Sequence, residues 1–256
     1  MEDLLEISRG LIVVGLTLLL VLLRLDAERF GTAEYYETTR DGERPRVRRR
    51  LAWYGLGIAL VLAIAYIAPA PQADLFLGTG DRFGAVFGGL IFAGLGVAQA
   101  LAFATLRYQR IRFPATSSYP GALLNSTATA FVDEATFRGA IFGTLLTLGL
   151  EANLANVIQT LLYALTTRLG APGRDRYLLV LTLAIGIIGG WLTAVTGGIA
   201  AAFLGHAATR FAVFLATGHT GQTLPKGREV EEIDRRRRPP EGWRVIGSRE
   251  SAQRDR

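Results

Sequence analysis

The chain has no cysteine, a single lysine and only two histidines, His206 and His219. The absence of cysteine excludes disulfides and thiolate metal sites. The chain also lacks a soluble basic domain that would account for its pI of about 10.0, so no nucleic-acid partner is expected. The net charge of +6 must instead be explained by where along the chain the basic residues lie.

Long apolar runs are the main feature of what is present. Half of the residues are hydrophobic and the mean hydropathy is +0.30, which is high for a soluble domain. Most runs have the ~20 residues that a ~30 Å hydrocarbon core requires of a helix, and lipid offers the backbone no hydrogen-bond partner outside a helix. The sequence therefore predicts an all-α, polytopic integral membrane bundle of about seven transmembrane helices. The predicted spans are 10–23, 51–69, 83–106, 122–149, 152–168, 177–195 and 198–217.

Charge placement predicts the orientation of these spans. Four alternate connections hold 24 of the 28 basic residues, and they lie at 24–50, 107–120, 168–176 and 218–256. The positive-inside rule then puts the N-terminus outside and the C-terminus in the cytoplasm. The first span follows an acidic leader, and no small-residue cleavage site comes after it, so we expect it to remain as an anchor. The excess of arginine over lysine is typical of GC-rich bacterial genomes, and the predicted location is a bacterial plasma membrane, in which the lipid bilayer is the first partner.

This pattern of spans divides the chain into three regions. Residues 1–106 would hold transmembrane helices 1–3 and a basic cytoplasmic loop at 24–50, and residues 107–217 would hold helices 4–7 as the core. Residues 218–256 combine charge runs with prolines, which is typical of a disordered tail.

The fourth predicted span contains three ionisable residues, Asp133, Glu134 and Arg138, between uncharged flanks. Charged side chains inside a bilayer are costly, and by default they mark a functional site. Glu134 and Arg138 are four residues apart and share a helix face, so they are predicted to pair. Asp133 points about 100° away from Glu134. Two adjacent carboxylates repel each other in a low dielectric, and a carboxylate in such surroundings suits a general base.

The last span carries His206 and Arg210 on one face, again four residues apart. With His206 neutral, the two acids of the fourth span, Arg138 and Arg210 sum to zero charge. A neutral, internally paired quartet between the fourth and last spans would be a structural staple. One histidine and two acids are also a facial metal site in principle, although two arginines beside them argue against it.

Two runs of the core resemble a known family. The run at 133–139 reads DEATFRG, and the run at 190–198 reads GWLTAVTGG and is followed by FLGH at 203–206. They are similar to the Glu-Glu-x-x-x-Arg-Gly and Gly-x-x-x-x-x-Thr-Gly-x-(apolar)-His patterns of the CPBP intramembrane proteases, the family of CAAX prenyl proteases and bacteriocin-processing proteins. Order and spacing agree over about 120–217. The resemblance implies peptide-bond hydrolysis inside an all-helical membrane bundle.

The same resemblance implies roles for four residues. Asp133 would be the base that activates water, Glu134 and Arg138 would support it, and His206 would be an assisting group.

Three further positions have supporting roles by the same resemblance. Tyr163 and Thr167 fall where the family has Phe-x-x-x-His, and Arg210 falls where it has the asparagine that helps to hold the oxyanion. Threonine cannot bind a metal as imidazole does. Zinc or another divalent metal is therefore a cofactor that the family suggests but that Thr167 and Arg210 disfavour. Asp133, where the family has glutamate, is shorter by one methylene.

These observations leave three functions open. The first is a CAAX-protease-like endopeptidase that acts on a membrane-associated peptide or protein, with activity reduced by the three departures. The second is a catalytically degenerate relative that binds a membrane partner without cleaving it. The third is a proton-coupled transporter that uses the same buried charges, although no internal repeat supports it.

Overall fold

The computed structural model describes residues 2–31, 47–109, 111, 113–114, 116–170 and 178–218. The predicted tail beyond 218 and most of the predicted loop 24–50 lie outside the described residues. Within the described part, the chain is all-α and forms seven helical stretches. The first three are α1 (Glu2–Leu25), α2 (Val47–Ile67) and α3 (Arg82–Tyr108). The fourth stretch is continuous and consists of α4 (Tyr119–Glu134), a π-helical segment (Ala135–Ile141) and α5 (Phe142–Thr147). The last three are α6 (Ala152–Leu169), α7 (Leu178–Thr196) and α8 (Ala200–Thr217).

Five of these helices are long and apolar enough to cross a membrane, which makes the chain a multi-pass membrane protein. They are α1, α2, α3, α7 and α8. The predicted fourth and fifth spans form helices at the predicted places, but neither meets the length and composition of a span. The fourth is divided by the π-helical segment and carries three charges, and α6 includes two asparagines, a glutamine and an arginine.

The distribution of side chains is that of a protein surrounded by lipid. Large apolar side chains such as Leu11, Leu62 and Leu90 are mostly exposed. The fully buried residues include charged and polar ones, Glu134 and His206 among them. An apolar exterior around a polar interior is the arrangement expected where the surrounding medium is hydrocarbon.

Helix α1 extends further than the sequence predicts. The apolar run suggests a span of 10–23, whereas the helix continues to Leu25. Its buried positions include Val13, Thr17, Leu20 and Arg24, at spacings of four, three and four residues. This spacing places them on one helix face, so Arg24 points into the bundle and does not begin the loop.

Close packing between α3 and α8 fixes the position of the last helix. These two helices have the most extensive contact in the bundle. A Cβ on Gly96 would collide with the side chain of Thr209, and one on Gly205 would collide with the ring of Phe92. Small residues of this kind let membrane helices approach closely, and here they hold the turns of α8 on either side of His206.

The turn between α7 and α8 is held by the loop that precedes α3. The backbone N–H of Asp81 donates to the carbonyl of Thr196 at 2.7 Å, and the N–H of Ile199 donates to the carbonyl of Gly78 at 3.1 Å. Gly197 has φ +72°, a conformation that glycine adopts without strain. The Thr-Gly run noted in the sequence is therefore the turn that sets where α8 begins.

Candidate active site

The centre of the site lies where the α4 helix changes into the π-helical segment. Asp133 and Glu134 are the last two residues of α4, and Arg138 lies within the π turn. π-helical turns are rare and often occur at functional sites. All three side chains are fully buried, so each charge has to be compensated inside the protein.

Glu134 and His206 form the closest contact in the site. His206 Nδ1 lies 2.7 Å from Glu134 Oε1, and both side chains are completely buried. His206 Nε2 lies 3.2 Å from the hydroxyl of Tyr163 on α6. A neutral imidazole with its proton on Nδ1 satisfies both contacts, because Nδ1–H donates to the carboxylate and Nε2 accepts from the hydroxyl. A hydroxyl, an imidazole and a carboxylate in sequence can pass a proton along the chain.

Arg138 holds the other side of Glu134. Its Nε lies 3.2 Å from Glu134 Oε2, which confirms the pairing that the four-residue spacing predicts. Its guanidinium carbon also lies 4.2 Å from the centre of the Tyr163 ring, where the face of the ring attracts a cation. Glu134 is thus fixed through both oxygens, one towards His206 and one towards Arg138.

The partner of Asp133 is a residue that sequence reasoning missed. Arg24 Nε on α1 lies 2.9 Å from Asp133 Oδ1, with side chains 4% and 0% exposed. Arg24 Nη2 also donates to the hydroxyl of Thr167 at 3.4 Å, so Thr167 lies beside the Arg24–Asp133 ion pair. Arg24 was predicted to belong to a cytoplasmic loop. The sequence gives no direct signal for this contact, because the burial of Arg24 together with Val13, Thr17 and Leu20 is known only from the structure.

Arg24 changes the staple hypothesis. Arg210 is buried as well, but in the described part of the chain it forms no ion pair. The predicted neutral quartet is therefore a group of five charges in which α1 takes part. Two carboxylates face three guanidinium groups, so the cluster carries one net positive charge when His206 is neutral.

The donor set does not fit a divalent metal ion. Among the described residues, no group of three or more His, Cys, Asp or Glu side chains lies close enough to hold one. The Nδ1 atom of His206 and one oxygen of Glu134 are already bound to each other. Asp133 pairs with Arg24, and a neighbouring guanidinium repels a cation. The chemistry proposed for these residues therefore involves no metal ion.

The order of these residues along α4 to α8 matches a family model for Rce1-like type II CAAX prenyl endopeptidases, which covers residues 114–212. Over these residues the chain is similar to that CAAX prenyl endopeptidase family. The match confirms the resemblance read from the Asp133 and His206 runs. Comparisons with curated proteins and with solved structures gave no match.

The region that matches the family model contains all of the predicted site residues. It includes Asp133, Glu134, Arg138 and His206 as well as Tyr163, Thr167 and Arg210. Arg24 lies outside the matched region. The contact with Asp133 therefore comes from the N-terminal part of the chain, and the family match does not predict it.

Proposed function

We propose that this membrane protein is a CAAX-protease-like endopeptidase that hydrolyses a membrane-associated peptide or protein. The 2.7 Å contact between Glu134 and His206 carries the proposal. It provides a carboxylate–imidazole pair beside a second carboxylate, Asp133, in a region that matches a peptidase family model over residues 114–212. Hydrolysis of a peptide bond requires a base for water and an acid for the leaving amine.

In this proposal each residue of the site has a separate role. Asp133 takes the proton of the attacking water, as the family resemblance implies. Glu134 orients His206, which exchanges protons with the reacting groups through Nε2 once the Tyr163 hydroxyl moves aside. Arg138 keeps Glu134 in place and stabilises its charge. Arg210 donates hydrogen bonds to the oxyanion.

A second candidate function is binding of a membrane peptide without cleavage. The observation that favours it is the Arg24–Asp133 ion pair at 2.9 Å. Asp133 must separate from Arg24 before it can accept a proton from water. The same pair would also reduce the rate of an active enzyme.

The membrane orientation is part of the proposal. In it, α4–α5 and α6 are two shorter crossings between the five candidate spans, and the positive-inside rule favours an N-terminus outside and a C-terminus in the cytoplasm. The location would be a bacterial plasma membrane. Reporter fusions ahead of α1 and at residue 218, read for exposure on each side of the membrane, test this orientation. Equal exposure of both on one side would contradict an odd number of crossings.

The catalytic proposal is tested in proteoliposomes with two peptide probes. One is a farnesylated peptide with a CAAX terminus, and the other is the same peptide without the lipid. Glu134→Gln and Asp133→Asn each keep the size of the side chain but remove the carboxylate. Glu28→Gln is the matched control, because Glu28 is exposed in the turn that follows α1. Loss of a positioned base should slow cleavage about 100- to 10,000-fold, measured by mass spectrometry.

Three outcomes are distinguishable. Cleavage by the wild type and Glu28→Gln that is lost in both carboxylate variants supports the endopeptidase. Normal cleavage by folded Asp133→Asn and Glu134→Gln proteins overturns the hydrolytic roles. A folded wild type that binds the peptide in the bilayer and releases no fragment indicates the second candidate.

A further inference from the structure

The charges around His206 do not balance among themselves. Arg24 and Arg138 each form an ion pair with one carboxylate of α4. Arg210 has no ion pair within the described residues, although it is about nine-tenths buried. The cluster therefore contains one buried guanidinium more than it has carboxylates. An uncompensated charge in a low-dielectric interior is strongly unfavourable.

The arginines also have donor atoms that the protein does not use. Arg138 Nη1 and Nη2 and Arg210 Nε are fully buried, and none has a hydrogen-bond acceptor among the described residues. Buried donors in folded proteins are nearly always satisfied, and an exception calls for an explanation. Three unsatisfied donors on two cations indicate an acceptor that carries negative charge.

Both arginines lie near the Tyr163–His206 pair. The guanidinium carbon of Arg138 lies 4.2 Å from the centre of the Tyr163 ring, and the Tyr163 hydroxyl lies 3.2 Å from His206 Nε2. Arg210 follows His206 by four residues on α8, so the two side chains share one helix face. One small group beside the Tyr163–His206 pair would therefore lie near both cations.

We propose that this cluster binds one carboxylate group, held by Arg210 and Arg138. A carboxylate supplies the single negative charge that the cluster lacks, and its two oxygens match the planar fork of a guanidinium. Arg210 has 8% exposure while Arg138 has none, so the carboxylate enters beside Arg210. The inference concerns binding alone and does not depend on peptide cleavage.

Two sources have this chemistry, a small water-borne carboxylate and the carboxylate end of a chain that lies in the bilayer. Acetate represents the first and decanoate the second. Decanol has the same chain as decanoate without the charge, and chloride has the charge without the two carboxylate oxygens. The full-length protein in detergent micelles is heated with each compound at constant ionic strength, which is maintained with a bulky sulfonate salt.

Binding to the folded state raises Tm. At about 100 times the Kd, the rise should be roughly 5–10 °C for a chain of this size. Arg210→Gln should remove the rise, and Arg82→Gln should retain it, because Arg82 is exposed at the start of α3. Arg210→Lys keeps the charge but not the fork, and its Kd by calorimetry should increase at least tenfold.

The outcomes separate as follows. A rise with decanoate but neither acetate nor decanol supports a membrane-borne carboxylate, and a rise with both carboxylates supports a water-borne one. An equal rise with chloride overturns the carboxylate assignment. The proposal is also overturned if the folded wild type responds to no carboxylate, if Arg210→Gln responds as the wild type does, or if Arg210→Lys binds with an unchanged Kd.

Discussion

Replacement of Arg24 by methionine tests whether α1 is part of the site. Arg24 Nε lies 2.9 Å from Asp133 Oδ1, and both side chains are almost entirely buried. Methionine has a similar length but no charge, so Arg24→Met leaves Asp133 buried without its ion-pair partner. The same substitution removes the hydrogen bond to Thr167.

The expected loss follows from the burial of the pair. Removal of one partner of a buried ion pair costs about 3–5 kcal/mol, because the remaining charge stays in a low dielectric. A change of about 1 kcal/mol shifts Tm by roughly 2–4 °C in a chain of 150–250 residues. We therefore expect Arg24→Met to lower Tm by about 10 °C.

The chain provides a matched control in the same region. Arg29 and Asp26 also form an ion pair, at 3.3 Å, but their side chains are 81% and 48% exposed. An exposed pair contributes no more than about 1 kcal/mol, so Arg29→Met should shift Tm by only a few degrees. Thermal loss of helical circular dichroism in detergent micelles measures both variants.

A double variant separates the ion pair from general packing. Arg24→Met combined with Asp133→Leu removes both charges, and such replacements of a buried pair are often neutral or stabilising. The double variant should therefore be more stable than Arg24→Met alone. A Tm for Arg24→Met within a degree of the wild type, or a double variant less stable than both single variants, would refute the reasoning.

Two further predictions concern the parts of the fold that hold the site. Gly143→Ala should lower Tm, because a Cβ there would collide with the backbone of Asp74 and Leu75 and overpacking costs roughly 1–3 kcal/mol. Gly10 has open space around it, so Gly10→Ala should leave Tm unchanged or slightly raised. Equal effects of the two substitutions would contradict the close approach at Gly143. Hydrogen bonds from the backbone N–H groups of Asn153 and Leu154 hold the pKa of Glu151 below its usual range. The contribution of Glu151 to stability is then present above pH 4.5 and is lost as the pH falls through the lowered pKa. The Tm difference between wild type and Glu151→Gln should therefore shrink between pH 7 and pH 3. A constant difference would count against a role of the Glu151 carboxylate in capping α6.

Local pattern predicted much of the fold. The seven helical stretches lie close to the predicted spans because apolar runs of this length form helices wherever lipid or a core receives them. The pairing of Glu134 with Arg138 was predicted for the same kind of reason, since four residues along a helix return to one face. The interruption of the fourth span by a π-helical segment was not predicted, because its longer turn has no signal in hydrophobic periodicity.

Contacts between helices were harder to predict, and the cluster shows why. His206, Asp133 and Glu134 were expected in one site, but the sequence does not say which acid faces the imidazole. Adjacent residues point about 100° apart, so the rotation of α4 against α8 decides it, and the structure gives Glu134. A rotation of one residue would have given Asp133.

The sequence by itself determined that this chain is a helical membrane protein with a protease-like charged motif, because hydropathy, charge placement and short motifs are local properties. Only the tertiary structure decided what the charges meet. It paired Arg24 of α1 with Asp133. It also placed Arg210 at a position where no carboxylate among the described residues pairs with it. Such partners depend on helix rotation and packing across more than a hundred residues of chain, and neither is encoded in the spacing of any one segment.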